Sequence, residues 1–151
     1  MAENREIERK FLVKSNAFKT QATAVHTIAQ GYLCKDHERT IRVRIRDDKA
    51  FLTIKSSIGQ QGITRFEWER EIDIDDARQL IAICLQPIIE KERYIIPCNN
   101  ERKWEVDIFH GHKEGLVLAE LELGSEDEPF DKPAWLGDEV TGLPQYYNAN
   151  M

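Results

Sequence analysis

Polar and apolar positions alternate with a period of two through much of the first 74 residues, broken at intervals by short polar stretches, and the same rhythm returns from residue 88. Such alternation marks strands that turn one face to an apolar core and the other to a polar environment. It predicts extended segments over about 4–13, 26–34, 40–47, 50–57, 62–74, 88–96, 101–109 and 115–123. The stretches KDHER, RDDK and SSIGQQG separate the second to fifth segments, and loops this short and polar join antiparallel neighbours. A helical period appears in DIDDARQLIAICLQ (73–86), with acidic residues at its start, an apolar stripe through Ala77, Leu80, Ile81 and Leu85, and Pro87 beyond its end. Weaker helical patterns cover 15–24, with Ser15 as cap, and 133–150, where Gly142 and Pro144 divide the run into one or two short helices. The reading is a single mainly β (α+β) domain over residues 1–151. Eight antiparallel strands tend to close because closure removes exposed edges, so a closed eight-stranded antiparallel barrel with a few covering helices is expected, with a two-sheet sandwich as the alternative.

Sorting each strand by parity separates the charges. In EIERKFLV, Glu6, Glu8 and Lys10 share one face and Ile7, Arg9 and Phe11 the other. Arg42, Arg44 and Arg46 lie together in TIRVRIR, Lys55 aligns with Thr53 in AFLTIK, and Glu67, Glu69 and Glu71 align in RFEWEREI. Lys91 pairs with Arg93, Glu105 with Asp107, and Glu120 with Glu122. For one strand alone, a charged face is ordinarily the solvated one. Like charges crowded within strands are poorly suited to that role. They make sense inside a wide barrel, where basic rows hold a polyanion and carboxylate rows hold Mg²⁺ or Mn²⁺ bridging to its oxygens. Periodicity does not say which face points inward.

Composition narrows the reading. Charged residues are 32% of the chain, above the roughly 25% of an ordinary soluble domain, while apolar residues at 41% suffice for a core. The balance of 21 basic against 27 acidic residues, net −6, argues against a general nucleic-acid binder. Cys34, Cys84 and Cys98 form no CxxC pair, which favours reduced thiols in the cytoplasm over disulfides or a thiolate zinc site. The opening MAENREIERK lacks an apolar signal core and no stretch approaches the ~20 apolar residues of a membrane span, so neither export nor a membrane partner is expected. There is no GxxxxGK[ST] loop and no Ser-His-Asp arrangement. His110 and His112 sit among Gly111, Lys113, Glu114 and Gly115, which reads as a turn and not a metal pair. Trp68 and Trp104 lie opposite the charged faces and read as packing residues, while Arg9 and Arg70, also on those faces, are expected to pair with covering helices or a partner chain. The Trp and Ile content of the outer faces, set against two or three helices, leaves room for a homodimer.

The series Glu6-x-Glu8-x-Lys10, Arg42-x-Arg44, Lys55, Glu67-x-Glu69, Lys91-x-Arg93, Asp107 and Glu120-x-Glu122, in that order, resembles the CYTH superfamily, also called the triphosphate tunnel metalloenzymes. The resemblance implies an eight-stranded tunnel whose charged lumen binds a triphosphate and needs a divalent metal, Mg²⁺ or Mn²⁺, for hydrolysis. Lys10, Arg42, Arg44, Lys55, Lys91 and Arg93 would grip phosphate oxygens, with Arg46 of matching parity. Glu6, Glu8, Glu120 and Glu122 would hold the metal, with Asp107 near them, and Glu67 and Glu69 would hold a second metal or the attacking water. Tyr32 matches a tyrosine that approaches the first-strand lysine, giving a Tyr32–Lys10 dyad as a further catalytic element. VTGLPQYYNANM resembles a C-terminal helix that caps one tunnel end, and a capped tunnel favours a small substrate over a nucleotide.

The chain is most similar to the short bacterial inorganic triphosphatases, so the expected reaction is hydrolysis of tripolyphosphate to pyrophosphate and phosphate. Alternatives on the same fold are an adenylate cyclase, a nucleoside or thiamine triphosphatase, and a binding module without turnover.

Overall fold

The computed structural model describes residues 5–99 and 101–151. Its strands are β1 (Arg5–Val13), β2 (Ala24–Lys35), β3 (Arg39–Arg46), β4 (Lys49–Ser56), β5 (Thr64–Ile72), β6 (Leu85–Pro97), β7 (Lys103–His110), β8 (Val117–Glu122) and β9 (Leu136–Glu139). The order β5-β4-β3-β2-β6-β7-β8-β1 closes through pairing of β1 with β5, giving an antiparallel barrel of eight strands with β9 added to β1. The barrel forms and the sandwich does not. Residue 4, the expected start of the first strand, lies outside the described residues.

The seam between β1 and β5 is short. Ile7 pairs with Thr64, but further along β1 the same edge is taken by β9, with Phe11 opposite Glu139 and Val13 opposite Leu136. The last strand thus satisfies backbone groups that an incomplete seam would expose. Val140 N–H continues the junction by donating to the Lys10 carbonyl at 2.8 Å.

The one α-helix among the described residues, α1, spans Ile74–Ala82, with Asp73 as N-cap accepting from the N–H groups of Asp75 and Asp76. The apolar pattern runs on to 86, but Leu85 pairs with Tyr32 in the β2–β6 ladder, and strand pairing ends the helix early. Residues 15–24 supply only a 3₁₀ turn, Ala17–Thr20, that buries Phe18. The expected C-terminal capping helix is corrected to β9 followed by two 3₁₀ turns, Pro144–Tyr146 and Asn148–Asn150. Edge pairing claims residues 136–139, and Gly142, at φ +80°, and Pro144 interrupt the remainder of the tail.

The outer faces are largely apolar, and two parts of them are covered by the chain itself. Helix α1 lays Ala77 against Val43 and Ala50, joined by Cys84. Gly31 lies beneath this contact: a Cβ there would come within 2.7 Å of both Cys84 Cβ and Ile88 Cδ1. Gly31→Ala is therefore expected to destabilise the fold by about 1–3 kcal/mol through overpacking, readable as a lower urea midpoint. On another side Phe11, Trp104, Phe130 and Trp135 meet edge to face, Trp104 and Trp135 at 5.7 Å. Trp104 is thus covered by the chain itself, while Trp68 is half-buried beneath the Arg70 guanidinium at 4.8 Å. Arg9 pairs with Glu139 of β9 and lies 4.9 Å over Phe130, so its counter-charge comes from a strand and not a helix. The HxH stretch ends β7 and enters a 3₁₀ turn, Gly111–Lys113, with His110 Nε2 2.9 Å from Glu92. Among the described residues no helix is long and apolar enough to cross a membrane.

Candidate active site in the barrel lumen

Directly opposed residues on neighbouring strands share a face, and the register gathers the charged parities into one surface. Lys10 and Glu105 both stand opposite Glu120, Arg93 opposite Asp107, Arg42 opposite Thr53, and Thr53 opposite Glu69. Glu6, Lys10, Arg42, Arg44, Lys91, Arg93, Asp107 and Glu120 are all buried. Charged side chains are almost never buried unless paired, so their joint burial identifies this surface as the lumen.

One end is apolar and closed. Tyr32, Ile89, Phe109 and Leu118 from the barrel wall pack with Val140 and Met151 of the C-terminal segment. Lys10 lies just inside this plug, its Nζ donating to the Tyr146 carbonyl at 2.9 Å, 3.4 Å from Glu120 and 5.8 Å from the Tyr147 ring centre. Among the described residues there is no Lys10–Tyr32 hydrogen bond, and Tyr32 belongs to the plug.

The middle of the lumen is basic. Asp107, 1% exposed, accepts two hydrogen bonds from Arg93, at 2.7 and 2.8 Å, and lies 2.7 Å from Lys91 Nζ. Burial works to raise this carboxyl, but Arg93 and Lys91 outweigh it and hold it down at about 2. Lys91 is pushed down to about 7 by burial, then by Arg93 and Arg44, against the pull of Asp107. Arg44 donates from Nε to Gln30 Oε1 at 2.7 Å, a neutral partner. Burial, with Arg42 and Arg93 nearby, disfavours its charge. Arg42 donates to Thr53 at 3.2 Å and lies 3.6 Å from Glu69, while its buried Nε has no partner among the described residues. Arg46 stacks on Phe51 at 4.8 Å.

Toward the other end the lumen is mainly acidic. Glu6 accepts from Lys55 at 2.8 and 2.9 Å and from Arg65 at 2.9 Å, and Arg65 also reaches Glu8 at 3.2 Å. Burial would raise Glu6, but Lys55 and Arg65 bring it down to about 2. Glu8 is raised to about 8 by burial and then by Glu120 and Glu6. Glu120, in contrast, has its carboxyl held well below its ordinary range, against burial, by Lys10, Arg93 and Lys91. Glu67 is raised by burial and by Glu6, and Glu122 by burial and by Glu6 and Glu67. Glu69 accepts from the Thr53 hydroxyl at 2.6 Å.

The lumen therefore brings together all six basic side chains named from the sequence as phosphate ligands, and Arg46, on the same face, stacks on Phe51, which stands opposite Arg44. It also gathers the carboxylates, but Glu6 and Asp107 are engaged by cations, and among the described residues no three acidic, His or Cys side chains are gathered at metal-binding distance. Sequence reasoning missed Arg65, Gln30, Tyr146 and Asn148. Arg65 shares the parity of Glu67 and Glu69 and could have been found by it, as could Gln30 by its alternation with Tyr32. The tail residues carry only a weak helical pattern, which the structure replaces with 3₁₀ turns.

A closed antiparallel barrel lined by buried, sorted charges defines a tunnel that receives a small polyanion. Residues 4–147 match the CYTH domain model, and the chain belongs to that family. It is 44% identical over 148 residues to the inorganic triphosphatase of Acetivibrio thermocellus, covering 97% of this chain and 92% of the relative. It is 35% identical over 146 residues to the inorganic triphosphatase of Nitrosomonas europaea, covering 95% and 93%. The crystal structure of the inorganic triphosphatase NE1496 matches with a TM-score of 0.68 at 32% identity, over 99% of this chain and 94% of that one.

Proposed function

We propose that this chain is an inorganic triphosphatase that hydrolyses tripolyphosphate to pyrophosphate and phosphate. The observation that carries this reading is the basic middle of the tunnel. There, among the described residues, Arg44 has only a neutral hydrogen-bond partner and Arg42 keeps a buried Nε without one. A polyanion would supply the missing charge and the missing acceptors. Lys10, Arg42, Arg44, Lys55, Lys91 and Arg93 bind and orient the phosphoryl groups, and Asp107 fixes Lys91 and Arg93 for that task. Glu67 and Glu69, at the less buried side of the wall, position the attacking water in line with the leaving pyrophosphate.

The donor set fits a hard divalent cation, Mg²⁺ or Mn²⁺. Glu8 stands directly opposite Glu122 in the β1–β8 register with Glu120 two residues along the same face, burial and the charges of Glu120 and Glu6 push Glu8 up to about 8, and all three are oxygen donors. Glu8, Glu120 and Glu122 would hold the ion, with Glu6 joining where Lys55 and Arg65 turn to the substrate. When bound, the ion would neutralise phosphoryl oxygens and lower the pKa of a bound water. The plug at the Tyr32 end leaves a small substrate favoured over one carrying a base and ribose. The three cysteines are free, which fits a reducing cytoplasm.

The test is incubation of purified protein with tripolyphosphate, ATP and thiamine triphosphate, with Mg²⁺, Mn²⁺ or EDTA, and identification of products. Phosphate plus pyrophosphate from tripolyphosphate, lost in EDTA, is the expected result. Cyclic AMP from ATP, or binding without turnover, would replace this reading.

A further inference from the structure

Residues 144–151 form the inner surface of the plug and touch lysines by three routes. The Tyr146 carbonyl accepts from Lys10, the Ala149 carbonyl from Lys35 at 2.6 Å, and Asn148 Oδ1 from Lys91 at 3.0 Å. Two of these acceptors are backbone groups that any residue supplies. Asn148 is different, because its side chain enters a directed network. Its Oδ1 also accepts a long 3.4 Å bond from Gln30 Nε2, and Gln30 Oε1 accepts from Arg44 Nε at 2.7 Å. Lys91 only donates, so the oxygen of Asn148 must face it; Arg44 only donates, so Gln30 must turn its oxygen to Arg44 and its amino group to Asn148. Gln30 is 0% exposed and has no freedom to choose otherwise.

We propose that Asn148 is a positioning residue for the polyanion: it aims Lys91, and through Gln30 also Arg44, so that the seated C-terminal turn completes the basic part of the site. The proposal rests on the triphosphatase reading of the lumen. An ammonium on a four-carbon stem has three donors and little orientation of its own. Asp107 takes one and Asn148 a second, which leaves the third directed. A neutral amide does this without cancelling charge that the substrate needs. An aspartate at the same place would hold Lys91 more strongly and repel phosphate.

The experiment measures Kd for tripolyphosphate by calorimetry, KM and kcat, and thermal midpoint for Asn148→Ala, Asn148→Asp, Lys91→Ala and the Lys91→Ala/Asn148→Ala double variant. Asn148→Ala should raise Kd and KM about tenfold, the size of one hydrogen bond to a charged group, with the larger part of the loss in KM. In the Lys91→Ala background the same change should cost less than about twofold, because Asn148 acts mainly through Lys91. Asn148→Asp should raise Kd further than alanine does while leaving the thermal midpoint equal or higher, a combination that keeps the test decisive if the alanine variant folds poorly. Equal factors in both backgrounds, or an aspartate variant that binds as well as the parent, would reduce Asn148 to an anchor of the plug and overturn the proposal. Parent protein that binds tripolyphosphate without cleaving it would end the triphosphatase reading alone, since the Kd comparison still decides the role of Asn148. Parent protein that does not bind it would overturn both.

Discussion

Glu120→Gln is expected to lower kcat for tripolyphosphate by about 10²–10³-fold, the loss typical of removing one preorganised electrostatic group from a reacting site, while the barrel stays folded. Glu120 is 9% exposed, lies 3.4 Å from Lys10 Nζ and bears electrostatically on Glu8, so it joins the acidic and basic halves of the lumen. The amide fills the same volume and its oxygen can still accept from Lys10, which preserves the fold. It lacks the charge that would hold a divalent cation beside them. Glu8→Gln should behave alike. Steady-state rates over a range of Mg²⁺ and Mn²⁺ concentrations, with circular dichroism for the fold, make the check, and parent-like rates in both variants would remove these residues from any metal site.

The second large effect concerns stability. Asp107→Asn is expected to cost about 3–5 kcal/mol, because removing one member of a buried charged set leaves the others uncompensated. Lys91 is itself 1% exposed and would then face Arg93 and Arg44 without its one carboxylate partner among the described residues. For a chain of this size the thermal midpoint should fall by roughly 10 °C. The depressed carboxyl sets the sign of the pH dependence. Asp107 contributes its stabilisation above the ordinary aspartate range, and the contribution is lost as pH falls toward its folded value of about 2. The parent's advantage over Asp107→Asn should accordingly shrink in strong acid. Saturating tripolyphosphate should restore part of the loss at neutral pH, up to about 2.7 kcal/mol at a hundredfold excess over Kd. A loss below about 1 kcal/mol would mean that the basic centre does not depend on this carboxylate.

Strand alternation was legible in the chain, and with it the eight barrel strands and the pairing of like charges on one face. The period of two fixes which side chains share a surface whatever their partners. The same logic reaches Lys10, Arg44, Asp107 and Glu120 from the chain alone, and would have reached Arg65 had basic residues in an acidic row been counted. Helix limits were less legible, since the pattern through Leu85 suits a helix as well as the strand it joins.

By itself, then, the sequence determined which charges travel together and that many antiparallel strands must pair, with a closed barrel expected and a sandwich still open. Only the tertiary structure decided that the charged face is the inner one, that β9 completes the short β1–β5 seam, and that Asn148 meets Lys91 across 57 positions of the chain. The reason is physical. Periodicity is a property of neighbouring residues along the backbone, whereas inside and outside, and the docking of the C-terminal tail, are set by closure of the sheet and by which buried charges find partners.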